Sequence, residues 1–357
     1  MKNKVRLKKV SDVVAEVLIE EKVSHVFAIS GGASLHLIHS LADYKNIQYI
    51  CNHNEQASAM AADGYSRVSG KTGVAVTTSG PGATNLITGI CCSYYDSIPS
   101  LFITGQVSTM RMKGDTGVRQ IGFQETPIVD IAEEITKYAY TIVDPEEIKY
   151  ELQKALHIAK SGRPGPVLID IPDDLQRQLV DPLKLKNFQA PAAQEIPHLK
   201  NSLQDTIDSI MNSKRPILIA GWGVHLSDTE AELLKFAESF NIPIALTWGA
   251  ADLIPFDHDL YVGTFGTHGN RHANFAVQNA DLIISLGSRL DTKSTGSPVN
   301  TFAREAKKIM IDIDINELNK FQYFDLKFDQ LIHCDLKDFF NNISKLESSK
   351  DTSNNLE

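Results

Sequence analysis

The feature that most constrains the fold of this 357-residue chain is a repeated alternation of short apolar runs with longer amphipathic segments. The runs are bounded by Gly, Pro or Asp, which is typical of strands buried on both faces of a parallel sheet. The segments between them have the length of crossover helices, so the sequence predicts an α/β fold with doubly wound parallel sheets. The predicted strands lie at 25–30, 47–52, 73–79, 101–104, 166–171, 216–220, 243–247, 281–286, 308–312 and 331–333. Helices are predicted after an N-cap at Ser11 and at 34–43, 55–68, 83–94 and 151–160.

A change in composition divides this alternation into two halves. Around residues 189–197 the sequence is rich in Ala, Pro and Gln, which is typical of a linker. We therefore expect two α/β domains, at 1–185 and 199–345, joined by a linker at 186–198. The polar segment 346–357 is predicted to be a disordered tail.

Charge and composition exclude several classes of protein. The chain has 44 acidic and 35 basic residues and a net charge of −9, which disfavours general nucleic-acid binding. No apolar run approaches the roughly 20 residues of a membrane helix, and the basic start at 2–9 lacks the apolar stretch of a signal peptide. The cysteines form no CxxC pair, so we expect no disulfide framework, no zinc site and a cytoplasmic protein. Cys51 and Cys92 are expected to be buried thiols.

Two glycine turns are the first candidates for a binding site. Residues 79–85 read Ser-Gly-Pro-Gly-Ala-Thr-Asn between a predicted strand and a helix, and Gly31-Gly32 follows an earlier strand. Such turns place backbone N–H groups at the carboxyl edge of a sheet, where open α/β sheets bind ligands. The alternative is that each is only a tight strand-to-helix turn.

Glu55 is the candidate acidic residue at the same sheet edge. It follows the strand at 47–52 and begins a helix rich in small residues, which allow close helix packing. The alternative is a glutamate favoured at a helix N-terminus by the helix dipole.

Other motifs carry less weight. Gly70-Lys71-Thr72 is not a phosphate-binding loop, because the required glycine is absent at position 65. Gly221-Trp222-Gly223 follows a strand but lacks the third glycine of a dinucleotide-binding fingerprint. His268 and His272 are four residues apart without an accompanying carboxylate, so we read them as structural and predict no metal ligands in this chain.

A set of motifs taken together resembles the thiamine diphosphate-dependent enzymes, and within them the large subunit of acetolactate synthase. The resemblance covers residues ~5 to ~340. The motifs that carry it occupy residues 31–34, 55–56, 61–67, 78–86, 96–99, 123–127, 161–167, 268–269, 273–274, 287–289 and 311–314.

The resemblance implies that the first half is a pyrimidine-binding domain for thiamine diphosphate. Glu55 would hydrogen-bond N1′ of the aminopyrimidine, and Gln124 would act with it in catalysis on a 2-keto acid such as pyruvate. Phe123 would face the reacting carbons beside Gln124. The other residues that would shape the pyrimidine pocket are Gly31, Gly32, Ser79, Gly80 and Asn85.

The second half would be the central domain, which binds FAD or another nucleotide, or none, in different branches of the family. The resemblance assigns the nucleotide contacts there to Arg163, His268, Gly269, Gly287, Ser288, Arg289, Asp312 and Asp314.

The sequence contains no Gly-Asp-Gly motif, which in this family holds Mg²⁺ and the diphosphate on a third domain. We therefore expect the Mg²⁺ ligands on a missing domain or a partner chain, and a homo-oligomer with its site between subunits. The resemblance also implies a role in the biosynthesis of isoleucine and valine. Two alternatives stay open: a lyase or carboligase of a surface-polysaccharide sugar-nucleotide pathway, and a non-catalytic nucleotide-binding remnant.

Overall fold

The protein is described by a computed structural model that covers residues 6–192 and 199–354. The chain divides into two compact units, Met1–Ala192 and Ala193–Glu357, and each contains a six-stranded parallel sheet. Helices pack on both faces of each sheet, so the predicted fold class is confirmed. Part of the predicted linker, at 193–198, lies outside the described residues.

The first unit holds eight of the strands in the described residues, and six of them form its main sheet. Its strands are β1 (Lys8–Lys9), β2 (His25–Ala28), β3 (Gln48–Cys51), β4 (Gly73–Thr77), β5 (Ser100–Gln106), β6 (Tyr138–Thr141), β7 (Val167–Pro172) and β8 (Leu179–Val180). Its helices are α1 (Val10–Glu20), α2 (Leu35–Asp43), α3 (Glu55–Ser69), α4 (Pro81–Thr84), α5 (Ile87–Tyr95), α6 (Ile128–Ala132), α7 (Ile148–Lys160) and α8 (Asp173–Gln176).

The main sheet of the first unit has the order β3-β2-β4-β5-β7-β6, and all its pairs are parallel. One apolar cluster packs α1, α2 and α7 on one face, and a second packs α3, α5 and α6 on the other. The β1 and β8 strands form a separate antiparallel pair. Burial of apolar side chains on both faces explains why the central strands are uniformly apolar.

The second unit repeats the same principle with a different strand order. Its strands are β9 (Pro216–Ala220), β10 (Ile244–Leu246), β11 (Tyr261–Thr264), β12 (Leu282–Leu286), β13 (Lys307–Asp312) and β14 (Gln330–His333). Its helices are α9 (Leu199–Asn212), α10 (Gly223–Leu226), α11 (Glu230–Phe240), α12 (Arg271–Gln278), α13 (Thr292–Thr295), α14 (Ile315–Asn319) and α15 (Leu336–Asn354). The strands lie in the order β11-β10-β9-β12-β13-β14.

The predicted strands are all present, but four strands were not predicted: the two-residue strands β1 and β8, which pair with each other, and β6 and β11. Both β6 and β11 lie at the edges of their sheets and are half-buried, and their sequences, YAYT and YVGT, lack an extended apolar run. An edge strand is covered less completely than a central one, so it carries a weaker apolar signal.

Three local predictions were wrong. Helix α1 begins at Val10 with Lys9 as N-cap, because Asp12 Oδ2 accepts from the Lys9 N–H, whereas the Ser11 hydroxyl accepts from Ser40 Oγ. The helix predicted at 83–94 is divided into α4 and α5. Cys51 is exposed rather than buried, because it ends the edge strand β3.

The cysteines and the C-terminal segment complete this comparison. Cys92 is half-buried, and all four cysteines are free thiols. Helix α15 continues to Asn354, through most of the segment predicted to be a disordered tail, and residues 355–357 lie outside the described part. Within residues 6–192 and 199–354, no helix is both long and apolar enough to cross a bilayer.

Small residues let α3 pack closely on its neighbours. A Cβ added at Gly89 of α5 would lie 2.3 Å from the Ala59 Cβ on α3. On the other side, a Cβ at Gly73 of β4 would lie 1.9 Å from the Ala62 carbonyl oxygen. The alanine-rich sequence of α3 thus brings this helix against both the sheet and α5, which fixes the position of its first residue, Glu55.

Asp170 is a fully buried carboxyl group within β7. Its Oδ1 accepts from Thr104 Oγ1 at 2.6 Å, and its Oδ2 accepts from Gln106 Nε2 at 3.0 Å and Thr141 Oγ1 at 3.3 Å. Burial raises the pKa of Asp170 from 3.8 to about 6, although these three hydrogen bonds oppose the increase.

This raised pKa predicts a pH-dependent stability. Between pH ~4 and ~6 the folded state retains a proton that the unfolded state has lost, so stability falls as pH rises through this window and is level above it. Relative to Asp170→Asn, the free energy of unfolding of the wild type should fall by up to about 3 kcal/mol between pH 4 and pH 7. Urea unfolding of both proteins at the two pH values, followed by far-UV circular dichroism, measures this. An equal difference in unfolding free energy at both pH values would contradict it.

Candidate functional site

The order of the strands in the first unit places the two glycine turns side by side. The chain passes from β2 outwards to β3, and then returns to β4 on the other side of β2. The crossovers after β2 and β4 therefore diverge, and a crevice opens between them at the carboxyl edge of the sheet. Gly31-Gly32 follows β2 and Ser79-Gly80 follows β4, so both turns border this crevice.

Thr78 joins the two glycine turns. A Cβ at Gly31 would lie 2.5 Å from the Thr78 Cβ, and a Cβ at Gly82 would lie 2.6 Å from the Thr78 Cγ2. The Thr78 hydroxyl also accepts a hydrogen bond from the Ala33 N–H at 3.2 Å. Neither of these glycine positions can carry a side chain without displacing Thr78. By contrast, a Cβ at Gly32 would meet no atom within 4 Å, so the crevice is open at that residue.

We call Gly31-Gly32 the first glycine turn and residues 79–85 the second. Glu55 reaches the second glycine turn from the N-terminus of α3. Asn54 caps this helix by accepting from the Gln56 N–H at 2.8 Å. The half-buried Glu55 carboxylate accepts from Asn85 Nδ2 through Oε2 at 2.9 Å, and its Oε1 lies 3.5 Å from the position of a Cβ on Gly82. The prediction that Glu55 lies at the same sheet edge as the glycine turns is therefore confirmed, whereas its chemical role stays a prediction.

Gln124 lies on the other side of the second glycine turn. A Cβ at Gly80 would lie 2.7 Å from the Gln124 Cβ and 3.0 Å from its carbonyl oxygen. Gly80 has φ +60° and Gln124 has φ +62°, so both backbones are in the left-handed region at this contact. The Gln124 side chain is exposed, as is Phe123, whose exposed fraction is 82%. The neighbouring Ser79 is buried and its carbonyl accepts from the Gly82 N–H.

Arg163 is separated from these residues. It precedes β7, and its Nε donates to the Ser97 hydroxyl, which precedes β5, at 2.8 Å. Both residues therefore lie at the amino edge of the sheet, opposite the glycine turns. The structure does not bring Arg163 into the crevice between β2 and β4.

The corresponding crevice of the second unit lies between β9 and β12. Here the two turns contact each other directly, because a Cβ at Gly221 would lie 2.4 Å from the Gly287 carbonyl oxygen. The Gly223 N–H donates to this same oxygen at 2.9 Å, and Ser288 is buried beside it. Gly221 and Gly223 therefore allow close packing of the backbone between these two turns.

The remaining candidate residues of the second unit occupy the same carboxyl edge. His268 and Gly269 follow β11, and the His268 ring lies 5.2 Å from the exposed Trp248 ring. Asp312 ends β13 and accepts from the Asp314 N–H, and Asp314 caps α14.

Arg289 follows β12, and its Nη2 lies 3.4 Å from Asp291 Oδ2. Burial disfavours ionisation of Asp291, but N–H groups of Ser294 and Lys293 together with Arg289 hold its pKa below the ordinary value. Arg289, Lys320 and Phe321 line a cavity of 260 Å³, whose lining also includes the carboxylates Asp291 and Glu317 that pair with Arg289 and Lys320.

Three residues of the first unit were not selected from the sequence. Thr78 joins the glycine turns, Gln106 contacts Asp170, and the buried Glu125 accepts hydrogen bonds from the Lys113 and Ile121 N–H groups at 2.6 and 2.8 Å. Thr78 and Glu125 stand inside the motifs that carry the resemblance. However, their partners are distant in the sequence or are backbone groups, so no local pattern indicates these contacts.

The polar groups beside the crevice of the first unit suit an aminopyrimidine. Among the described residues, Asn85 Nδ2 is the side-chain donor within hydrogen-bonding distance of the Glu55 carboxylate, which leaves acceptor capacity on Oε1. The space around Gly32 is open for a ring at the neighbouring turn. No group of three or more metal-ligating side chains occurs in residues 6–192 and 199–354.

Comparisons with known proteins identify relatives of both units. Residues 8–132 match the family "Thiamine pyrophosphate enzyme, N-terminal TPP binding domain", and residues 203–342 match "Thiamine pyrophosphate enzyme, central domain". The chain is 39% identical over 320 residues to acetolactate synthase 2, chloroplastic, of Nicotiana tabacum, covering 88% of this chain and 46% of the relative. It is 39% identical over 317 residues to the probable acetolactate synthase large subunit of Methanocaldococcus jannaschii, covering 87% and 52%.

The chain thus spans about half the length of the curated relatives that it matches. The two family matches lie one in each unit and together cover most of the sequence. From the matches in both units and the identity to its relatives, we conclude that the chain belongs to the thiamine pyrophosphate enzyme family and is similar to acetolactate synthase large subunits.

Proposed function

We propose that this chain binds the aminopyrimidine of thiamine diphosphate in the crevice between β2 and β4, and that it takes part in decarboxylation and carboligation of 2-keto acids such as pyruvate. The observation that carries this proposal is the Glu55 carboxylate beside Gly82 and Asn85 at the switch point of the sheet. The similarity to relatives named acetolactate synthase also supports the proposal.

In this proposal, each residue of the crevice has a separate task. The Glu55 carboxylate would hold a proton at N1′ of the aminopyrimidine, while Asn85 fixes the orientation of that carboxylate. The backbone of the two glycine turns would approach the ring closely because no side chain intervenes. Thiamine diphosphate, when bound, supplies the electron sink for loss of CO₂ from the 2-keto acid. Gln124 would face the substrate from the far side of the second turn.

The proposal requires groups that the described residues do not supply. A diphosphate carries two to three negative charges that need a cation, so we propose that Mg²⁺ and its ligands come from a further domain or partner chain. We also propose a homo-oligomer, and FAD or another nucleotide at the carboxyl edge of the second unit. The four free thiols are compatible with the proposed cytoplasmic location.

A reconstitution experiment tests the function. The chain is mixed with the C-terminal half of the Methanocaldococcus jannaschii relative, thiamine diphosphate, Mg²⁺ and pyruvate, and acetolactate is assayed. We expect product only when both polypeptides and the cofactor are present. Thiamine diphosphate binding without turnover of any 2-keto acid would favour a non-catalytic module, and a yellow purified protein would support bound FAD.

A further inference from the structure

The segment that carries Phe123 and Gln124 is held from two sides. On the sheet side, Gln106 Nε2 donates to the Thr126 carbonyl at 2.8 Å while it also donates to the buried Asp170. On the loop side lies Glu125, which is only 8% exposed although most of the residues at 109–124 in the connection between β5 and α6 are exposed. The position of Gln124 is therefore set by its immediate chain neighbours.

Glu125 connects this segment to the exposed loop before it. Its Oε1 accepts from the Lys113 N–H at 2.6 Å, and its Oε2 accepts from the Ile121 N–H at 2.8 Å. Both carboxylate oxygens thus accept backbone donors that are eight residues apart in the chain. Hydrogen bonds to a charged acceptor are stronger than those between neutral groups, and a buried carboxylate without them is costly.

Further contacts anchor the same loop at its ends. The Gly122 N–H donates to the Arg111 carbonyl at 2.9 Å, which closes the loop next to Glu125. At its beginning, the Thr109 N–H and hydroxyl donate to Asp174 at 2.9 and 2.6 Å. The exposed residues 114–120 between these anchors contain no strand or helix, so the anchors define the path of the loop.

We propose that Glu125 is a positioning residue that closes the loop 111–122 and thereby holds Phe123 and Gln124 against Gly80. The inference that this position matters for the reaction rests on the proposed function. In Glu125→Gln, the remaining side-chain oxygen can accept from only one of the Lys113 and Ile121 N–H groups. The other N–H then faces the NH₂ group of the glutamine, which cannot accept its hydrogen bond. The loop would then open, and the left-handed backbone of Gln124 would lose its support at the second glycine turn.

Trypsin tests the loop without cofactor or substrate, because Arg111, Lys113 and Arg119 all lie in it. We expect cleavage after these residues to be on the order of tenfold faster in Glu125→Gln than in the wild type, since about one hydrogen bond's stabilisation of the closed loop is lost. The control is Glu134→Gln, which changes an exposed glutamate in the same unit. Circular dichroism confirms that the variants are folded.

Kinetics of the reconstituted enzyme test the consequence for the reaction. Since the proposed function places Gln124 against the substrate, we expect kcat to fall about tenfold in Glu125→Gln while KM for the 2-keto acid stays within about twofold. A wild-type cleavage rate in Glu125→Gln, or faster cleavage with an unchanged kcat, would overturn the proposal. An inactive wild-type mixture would instead refute the proposed function, and the trypsin comparison would still decide whether Glu125 holds the loop.

Discussion

Gly105→Ala is expected to destabilise the first unit by about 3 kcal/mol or more, since overpacking against a rigid neighbour is costly. Gly105 lies in the buried strand β5, and its added Cβ would lie 2.0 Å from the Ala33 carbonyl oxygen and 2.9 Å from the Ser34 nitrogen. These are backbone atoms of the first glycine turn, and Gln176 Nε2 already holds the Ala33 carbonyl at 2.7 Å. The turn must shift, so thiamine diphosphate binding should weaken as well.

Gly32→Ala is the matched control for this prediction. It adds the same methyl group to the same turn, but no atom lies within 4 Å of the new Cβ. Its effect on stability should stay within about 0.5 kcal/mol. Both tryptophans of the sequence, Trp222 and Trp248, lie in the second unit. Tryptophan fluorescence during urea unfolding therefore reports that unit, and circular dichroism reports both. If the two variants unfold at the same urea concentration, the packing argument is wrong.

Glu55→Gln is expected to lower kcat of the reconstituted enzyme by about 10²- to 10⁴-fold, the usual contribution of a positioned acid–base group. A glutamine amide can accept from Asn85 but cannot hold and release a proton at N1′. The free energy of unfolding should change little, because the side chain keeps its shape at a half-buried helix N-terminus. The measurement is acetolactate formation at saturating thiamine diphosphate, together with urea unfolding of the chain alone.

The control for this substitution is Glu146→Gln. Glu146 is an exposed glutamate in a helical first turn of the same unit, after the edge strand β6 and away from both glycine turns. It should retain wild-type kcat. Wild-type activity in Glu55→Gln would remove Glu55 from the mechanism, even if the family assignment stands.

Much of the fold could be predicted from local patterns. Each central strand is buried on both faces, so its apolar run is visible in the sequence, and each crossover helix follows within a few residues. The glycine turns and Glu55 were found for the same reason, since they stand directly at ends of these elements. The edge strands β6 and β11 were missed because partial burial leaves less apolar sequence behind. The exposure of Cys51 was missed because the sequence of β3 predicts a strand without indicating its place at the edge of the sheet, which only the strand order shows.

The sequence by itself determined the alternation of strands and helices, the positions of the glycine turns, and the glutamate at the start of α3. These depend on interactions between residues close in the chain. Only the tertiary structure decided that β2 lies next to β4, and therefore that Gly31 and Gly82 contact the same threonine, Thr78. It also decided that Glu55 meets Asn85 and that Glu125 closes the loop before Gln124. The contacts of Gly31 with Thr78, of Glu55 with Asn85 and of Glu125 with Lys113 join residues at least twelve positions apart, so no local sequence pattern indicates them. The first two depend on the order of the strands, which is fixed when both faces of the sheet are buried.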